Sequence, residues 1–206
     1  MLDSTKTHGA TPGHSPWSTI GRPARTARDK ILVTAAELFC RNGFEAIGVD
    51  TIALQSGASK STLYKHFASK DKLIEAVLDA EGAAWRRWFY GELAKVEGGP
   101  RARLLAVFDV LEAWFSDPLY YGCPFLNAIS EAACDDERPR ALAQVHKSYL
   151  TTWLQSQAFE LGRDPAELTR SMIVLIDGAI MAAHASRDAG FAATARGLAA
   201  TFLDAA

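Results

Sequence analysis

Residues 48–67, GVDTIALQSGASKSTLYKHF, constrain this chain more than any other stretch, because they read as two short helices joined by a tight turn. Val49, Ile52 and Ala53 fall on one helical face, and Leu63 and Phe67 mark the buried face of a second helix. The small Ala53 lets the two helices cross closely, while Gly57 can take the left-handed conformation that a three- or four-residue turn demands. Ser59 is placed to cap the second helix, its hydroxyl accepting a first-turn amide hydrogen. With Leu63 and Phe67 inward, Lys60, Ser61, Tyr64 and Lys65 point outward. That layout is a helix-turn-helix with residues 60–66 as the recognition helix.

Charge follows the same division. The formal net charge is -2, yet residues 21–72 hold nine Lys and Arg against five Asp and Glu, and everything from Leu73 onward holds twelve against eighteen. A basic front and an acidic back suit a protein that offers one end to phosphates. Chance clustering of solvated charge is the competing reading. At 206 residues and 49% hydrophobic the chain can bury a large core, as one large domain or two small ones. An odd cysteine count (Cys40, Cys123, Cys134) and no apolar signal core in the first twenty residues point to a reducing cytoplasm. The apolar runs read as interrupted or too short to cross a bilayer, so no membrane partner is expected.

In chain order, residues 1–21 are rich in Ser, Thr, Pro, Gly and His and read as a disordered tail. Gly21-Arg22-Pro23 with Arg25 and Arg28 forms a short basic arm. Three readings of Arg22 and Arg25 stand there: insertion into a narrow minor groove, plain phosphate contact, or disorder. Helix 1 is expected over 26–42 from the spacing of Ile31, Leu32, Ala35, Leu38 and Phe39, with Asn42-Gly43 as its stop. It would pack on the helix-turn-helix, with Phe44 and Ile47 closing the base and Cys40 as a packed hydrophobe. Ser69 caps a fourth helix running through Trp85, Trp88 and Phe89 toward Lys95. Asp71 suits its N-terminus, and Lys72 leaves a capping box incomplete.

Helix 1, the two-helix reader, Leu63-Tyr64-Lys65-His66-Phe67 and Ser69-Lys70-Asp71-Lys72-Leu73 together resemble the N-terminal domain of the TetR family of transcriptional regulators over residues 28–77. Two positions depart from the family pattern. Gly48 stands where Ser or Thr commonly caps the first reader helix, and Ser61 where Gly is common. The resemblance implies an all-α chain with a helix-turn-helix domain over 22–72 and an effector-binding and dimerisation bundle over 73–206. It carries DNA contact to Thr51, Lys60, Ser61, Thr62, Tyr64, Lys65, His66 and Lys70. Lys60, Lys65, His66 and Lys70 would sit on phosphates, and Ser61, Thr62 and Tyr64 at base edges.

Beyond Gly98-Gly99-Pro100 the chain reads as helices near 101–115, 124–134, 139–161, 165–187 and 191–203. Asp164-Pro165-Ala166-Glu167 marks a helix start in which Asp caps, Pro fits the first position and Glu can return a hydrogen bond. Gly178, Ala182 and Ala185 form one stripe of small residues, and Ala192, Ala195, Ala199 and Phe202 another. They face either a second subunit in a four-helix interface or the subunit's own core. Asp177, Met181 and His184 lie on the opposite face of the first of these helices. They are either satisfied core groups or the orienting groups of a cavity. Trp85, Trp88, Trp114, Phe115, Phe125, Asn127, His146, Tyr149 and Trp153 are further candidates for lining an apolar effector pocket.

The resemblance implies a homodimer that reads a pseudo-palindromic duplex operator and is released from it by a small effector, with the fourth helix swinging to change the spacing of the heads. Repression is the family expectation, and a ligand-dependent activator is the alternative. No cofactor, metal site or catalytic residue is expected. An enzyme built on Asp177, His184 and Glu131 is opposed by the lack of a Gly-x-Ser-x-Gly elbow, a His-Glu-x-x-His motif, a phosphate loop and a Cys-x-x-Cys pair. A protein-interaction adaptor on the same fold is opposed by the basic outward face. Cys123 and Cys134 have no basic neighbours in sequence to activate them and read as structural.

Overall fold

Helix-breaking residues divide the chain nearly where its apolar periodicity lapses. The computed structural model describes residues 18–205 and holds nine α-helices and no strand among them. The first four are α1 (Ala27–Asn42), α2 (Val49–Ser56), α3 (Lys60–His66) and α4 (Lys70–Leu93). The remainder are α5 (Pro100–Phe115), α6 (Pro124–Glu131), α7 (Arg138–Leu161), α8 (Pro165–Ser186) and α9 (Gly190–Asp204).

Thr26 begins α1 through a reciprocal capping box. Its hydroxyl accepts from Asp29 N, and the Asp29 carboxylate accepts from Thr26 N. Gly43, at φ +92°, ends the helix as the Asn42-Gly43 pair leads one to expect. Ile31, Ala35, Phe39, Ile52, Leu63 and Phe67 then close one small core with Phe44, whose ring stacks 5.2 Å from that of Phe39. Leu73 and Val77 of α4 complete that core and are fully buried in it. The 24 residues of α4 span about 36 Å, so the same helix continues into the second half of the molecule.

There α5 packs on α9, α7 on α8 and α8 on α9, around Leu104, Phe108, Leu111, Leu154, Leu168 and Met172. Several boundaries differ from expectation. α4 stops at Leu93, short of the Gly-Gly-Pro run, and α6 stops at Glu131 rather than at Cys134. α8 begins under Asp164, whose Oδ1 accepts from both Ala166 N and Glu167 N, with no returning bond from Glu167 among the described residues. α8 is also long and apolar enough, by length and composition alone, to cross a membrane, whereas in sequence the apolar runs read as interrupted or too short. Its Leu168, Met172, Ile176, Ile180 and Ala183 are instead spent on the bundle core.

Two further expectations are corrected. Ser18, Thr19 and Ile20, assigned to a disordered tail, are buried against α4 because Glu81 accepts hydrogen bonds from Ser18 and Thr19. Residues 1–17 lie outside the described residues. Ala192, Ala195 and Ala199 face the subunit's own core where α9 meets α5, since an alanine face lets two helices approach closely.

Gly82 shows why α4 is not alanine-rich throughout. A Cβ there would come within 2.9 Å of the Phe125 ring and 3.0 Å of His146 Nδ1, whereas nothing lies within 4 Å of a Cβ at Gly91 on the same helix. Helix propensity alone favours alanine at either site by up to about 1 kcal/mol. At Gly82 the forced displacement, about 1–3 kcal/mol, outweighs it. G91A should therefore raise the urea midpoint and G82A lower it; two midpoints moving together would contradict the packing described.

Candidate nucleic-acid interface and effector cavity

The turn between α2 and α3 is made by Gly57 at φ +70°, with Ala58 N donating to Ala53 O across it. Ser59 accepts from Thr62 N at 3.1 Å and so starts α3 where the sequence places it. Leu63 and Phe67 are buried at 0% and 3%, which turns the other side of α3 to solvent. Tyr64, Lys65, His66, Ser61 and Thr51 are exposed and Thr62 is half-buried. Gly48 takes the cap position before α2 in extended conformation without a side-chain bond.

Not every cation of this face is equally available. Lys60 pairs with Asp50 of α2 at 2.8 Å, and the ammonium pKa is raised by that hydrogen bond and charge. Lys70 is half-buried and donates to the Glu45 backbone carbonyl at 3.2 Å, so it braces the loop after α1. Arg28 lies over the Phe67 ring. Arg22 is half-buried, with Nε donating to Ser18 O at 2.8 Å. That local bond gives Arg22 a task which the reading of it as a DNA arm did not include, while Arg25 stays exposed. Lys65 makes no ion pair among the described residues.

A cavity of about 70 Å³ lies between α4, α5, α6, α7 and α8. Trp85, Trp114, Phe125, His146 and Asp177 line it together, from five different helices. The remaining pocket candidates lie elsewhere. Phe115 is buried beside Trp114 and Tyr120, and Asn127 donates to Tyr121 O behind the wall. Tyr149 is an exposed platform under Arg86, Trp153 leans on Tyr90, and Trp88 is half-buried off the cavity. Met181 is exposed, and His184 packs over Gly122 and Tyr120 at the surface. Helix phase accounts for such differences: a shift of one residue rotates a side chain by about 100° and moves it from one wall of a bundle to another.

Sequence reasoning missed Glu81, Cys40 and the residues Ser18 and Ile20 at the cavity wall. Glu81 is 5% exposed, a buried acid with no local sequence signal beyond its place among apolar neighbours on α4. Its Oε2 accepts from Ser18 Oγ at 2.5 Å, and its Oε1 from Thr19 N at 2.8 Å and from the Thr19 hydroxyl. Burial, and then the negative charge of Glu81, pushes the Cys40 thiol up; burial does the same to Cys123. Neither is an activated thiolate. Lys147 pairs with Asp177 across the α7–α8 edge. Trp85 Nε1 is buried without a hydrogen-bond acceptor among the described residues.

His146 stacks on Phe125, with ring centres 4.2 Å apart, and its Nδ1 is 3.1 Å from Arg86 Nη1. A guanidinium only donates, so Nδ1 accepts and the ring proton sits on Nε2. Burial first, then the charges of Arg86 and Lys147, hold this imidazole down at about 4.

The comparisons agree with this geometry. Residues 31–77 match the family model described as bacterial regulatory proteins, tetR family. A solved TetR-type transcriptional regulator from Streptomyces avermitilis is 30% identical, with 85% of this chain and 98% of that one covered and a TM-score of 0.70. A TetR-family transcriptional regulator from Streptomyces coelicolor is 25% identical over 86% of this chain and 88% of that one, with a TM-score of 0.79. The transcriptional activator FasR of Mycolicibacterium smegmatis is 45% identical over 56 residues, 27% of this chain and 26% of that protein. The matched segments span between 26% and 58% of the first curated relatives.

The His146 environment sets a pH dependence. Its folded pKa lies below its unfolded value, so the unfolded chain binds the extra proton and stability falls as pH drops from about 6.5 toward 4. Between pH 7 and pH 5 the loss attributable to this residue is about 2 kcal/mol. Urea midpoints of the wild type and H146Q should converge over that interval; parallel curves would show that His146 is already solvated.

Proposed function

Since the chain belongs to the TetR family of bacterial regulatory proteins, we propose that it is a DNA-binding transcriptional repressor, acting as a cytoplasmic homodimer that a small, mostly apolar effector releases from its operator. A transcription factor of this family is not an enzyme, and the α4–α8 cavity is then a ligand site. The observation that carries the reading is the outward face of α3. A helix capped by Ser59 and pinned by buried Leu63 and Phe67 presents Ser61, Tyr64 and Lys65 to solvent on one side. That is the geometry by which a recognition helix enters a major groove.

The dimer reading is supported by an apolar face that the subunit leaves uncovered. Val174 and Leu198 are 66% and 57% exposed on α8 and α9, Met181 is exposed beside them, and the space around a Cβ at Gly178 is open. Gly178 and Ala185 are exposed and Ala182 is half-buried, so the α8 stripe faces outward while the α9 contribution comes from Gly197 and Leu198 rather than from Ala195 and Ala199. Phe202 is half-buried under the Arg163 guanidinium. A twofold pairing of such faces sets two α3 helices at a fixed separation, and half-site spacing in an operator mirrors it.

Effector control works through differential affinity for two arrangements of the bundle. α4 carries Trp85 at the cavity and Leu73 in the head core, and α6 carries Phe125 at the cavity and Glu131 at the head. Glu131 accepts from Glu45 N at 3.0 Å, and Arg138 pairs with Asp71 at the start of α4. A ligand that separates Trp85 from Phe125 moves both connections.

Gel shifts on the promoter upstream of its own gene test the reader. K65A should weaken binding to all duplexes alike and reduce the log–log salt slope by about one, while Y64A should cost about 1–3 kcal/mol at one base pair. Binding with no salt dependence would end the assignment. V174E should give a monomer by light scattering and lose operator binding with it; a dimer that survives the charge would place the interface elsewhere.

A further inference from the structure

We propose that the cavity takes a flat aromatic cation, and that Ser18, Thr19 and Ile20 fill its acidic end as a built-in occupant which such a ligand displaces. The proposal rests on the reading of this cavity as the effector site. Its starting point is Glu81, a carboxylate buried on α4 whose hydrogen bonds come from neutral donors, the Ser18 hydroxyl and the amide and hydroxyl of Thr19. Among the described residues Glu81 forms no ion pair, although burial of an unpaired charge is costly.

The other charges at the wall are already matched. Lys147 pairs with Asp177, and Arg86 is directed to His146 and the Tyr149 ring. An anionic ligand would meet an engaged lysine and an unpaired carboxylate. A protonated amine or amidine meets the reverse: it replaces the neutral donors on Glu81 with donors that carry the opposite charge, adding ion-pair attraction to the hydrogen bonds. Trp85, Trp114 and Phe125 supply the flat walls for the body of the ligand, and tryptophan faces attract cations.

Space requires the segment to leave. The free volume is about 70 Å³, against about 150 Å³ in an apolar cavity that holds one benzene ring. Ile20 and Ser18 are part of the lining, so their withdrawal enlarges the cavity at its acidic end. Apart from the three bonds to Glu81 and the burial of Ile20, the hydrogen bonds of the segment are internal. The Arg22 side chain and Arg22 N bond to Ser18 O and Thr19 O, which closes the turn on itself and does not tie it to the bundle. Gly21, at φ +74°, provides a pivot directly after Ile20.

The probes are 2-naphthamidine, neutral 2-naphthamide and anionic 2-naphthoate, titrated into the full chain by calorimetry and tryptophan fluorescence. The amidine should bind about tenfold or more tighter than the amide, with naphthoate weakest, and E81Q should erase the preference. S18A/T19A should tighten the amidine about tenfold while keeping the order of the three, because it removes two of the three competing donors, the hydroxyls, and leaves every buried charge in place. That double variant decides the matter if E81Q fails to fold by circular dichroism. Equal affinity for the three probes, or an amidine Kd unmoved by S18A/T19A, overturns the proposal. Preference for naphthoate accompanied by operator release overturns the cation assignment and leaves the effector cavity standing. Amidine binding that depends on Glu81 and on Ser18 and Thr19, yet leaves operator affinity unchanged, supports the ligand assignment and removes the effector reading.

Discussion

A single uninterrupted helix connects everything this molecule does. Leu73 and Val77 of α4 are locked in the head core, and one turn later Glu81, Gly82 and Trp85 stand at the cavity, with Phe89 and Leu93 in the bundle core beyond. The helix contains no proline, starts under a Ser69 cap and carries a Lys72–Glu75 pair in its first turns, so its two glycines do not break it. Close-packed interiors do not deform smoothly. A displacement at Trp85 must therefore move the head as a unit, because Ile31, Ile52 and Leu63 hold that small core together with no exposed surface.

The second connection, through α6, decides what kind of motion is allowed. Glu131 closes onto Gly43 and Glu45, where the missing side chain of Gly43 leaves room for the carboxylate, whose Oε2 would lie 2.8 Å from a Cβ there. The Arg138–Asp71 pair is exposed on both sides and contributes little stability. Its effect is orientational: it fixes the first turn of α4 against the start of α7. With the head held at the root of α4 and again at the loop after α1, pivoting is easier than sliding, and in the homodimer proposed above pivoting would change the separation of the two α3 helices.

The reading head was legible in the sequence almost residue by residue, because its signals are local. Ser59, Gly57, Leu63 and Phe67 each act within a few positions of themselves, and capping and turn geometry require nothing from the rest of the fold. The helices of the bundle were legible for the same reason, with ends shifted by a few residues. The cavity was only partly so. Trp85, Trp114, Phe125, His146 and Asp177 converge in it, but Trp153 and His184 have equally plausible composition and face other ways, since rotation of one long helix against four neighbours is decided by packing. Glu81 carried no pattern at all. Its partners lie 62 and 63 residues away in a segment whose composition reads as disordered, and only tertiary contact reveals that such a segment has a place to bind.

The electrostatics of the two halves act together. Lys60 and Lys72 are engaged with nearby carboxylates and Lys70 with a backbone carbonyl, so phosphates must displace existing partners at much of the basic face. Exposed pairs exchange at small cost, so this does not prevent binding. It does lower the nonspecific attraction that an unpaired cluster would give, and the acidic bundle lowers it further. Under the function proposed above, what remains depends on the fit of Ser61, Tyr64 and Lys65 to a groove in both subunits at once. An affinity that depends on simultaneous fit is sensitive to spacing, so on that proposal a coupling of about 1–3 kcal/mol from the cavity would be enough to release the operator. A head with stronger indiscriminate charge would hold its DNA through the same change in spacing.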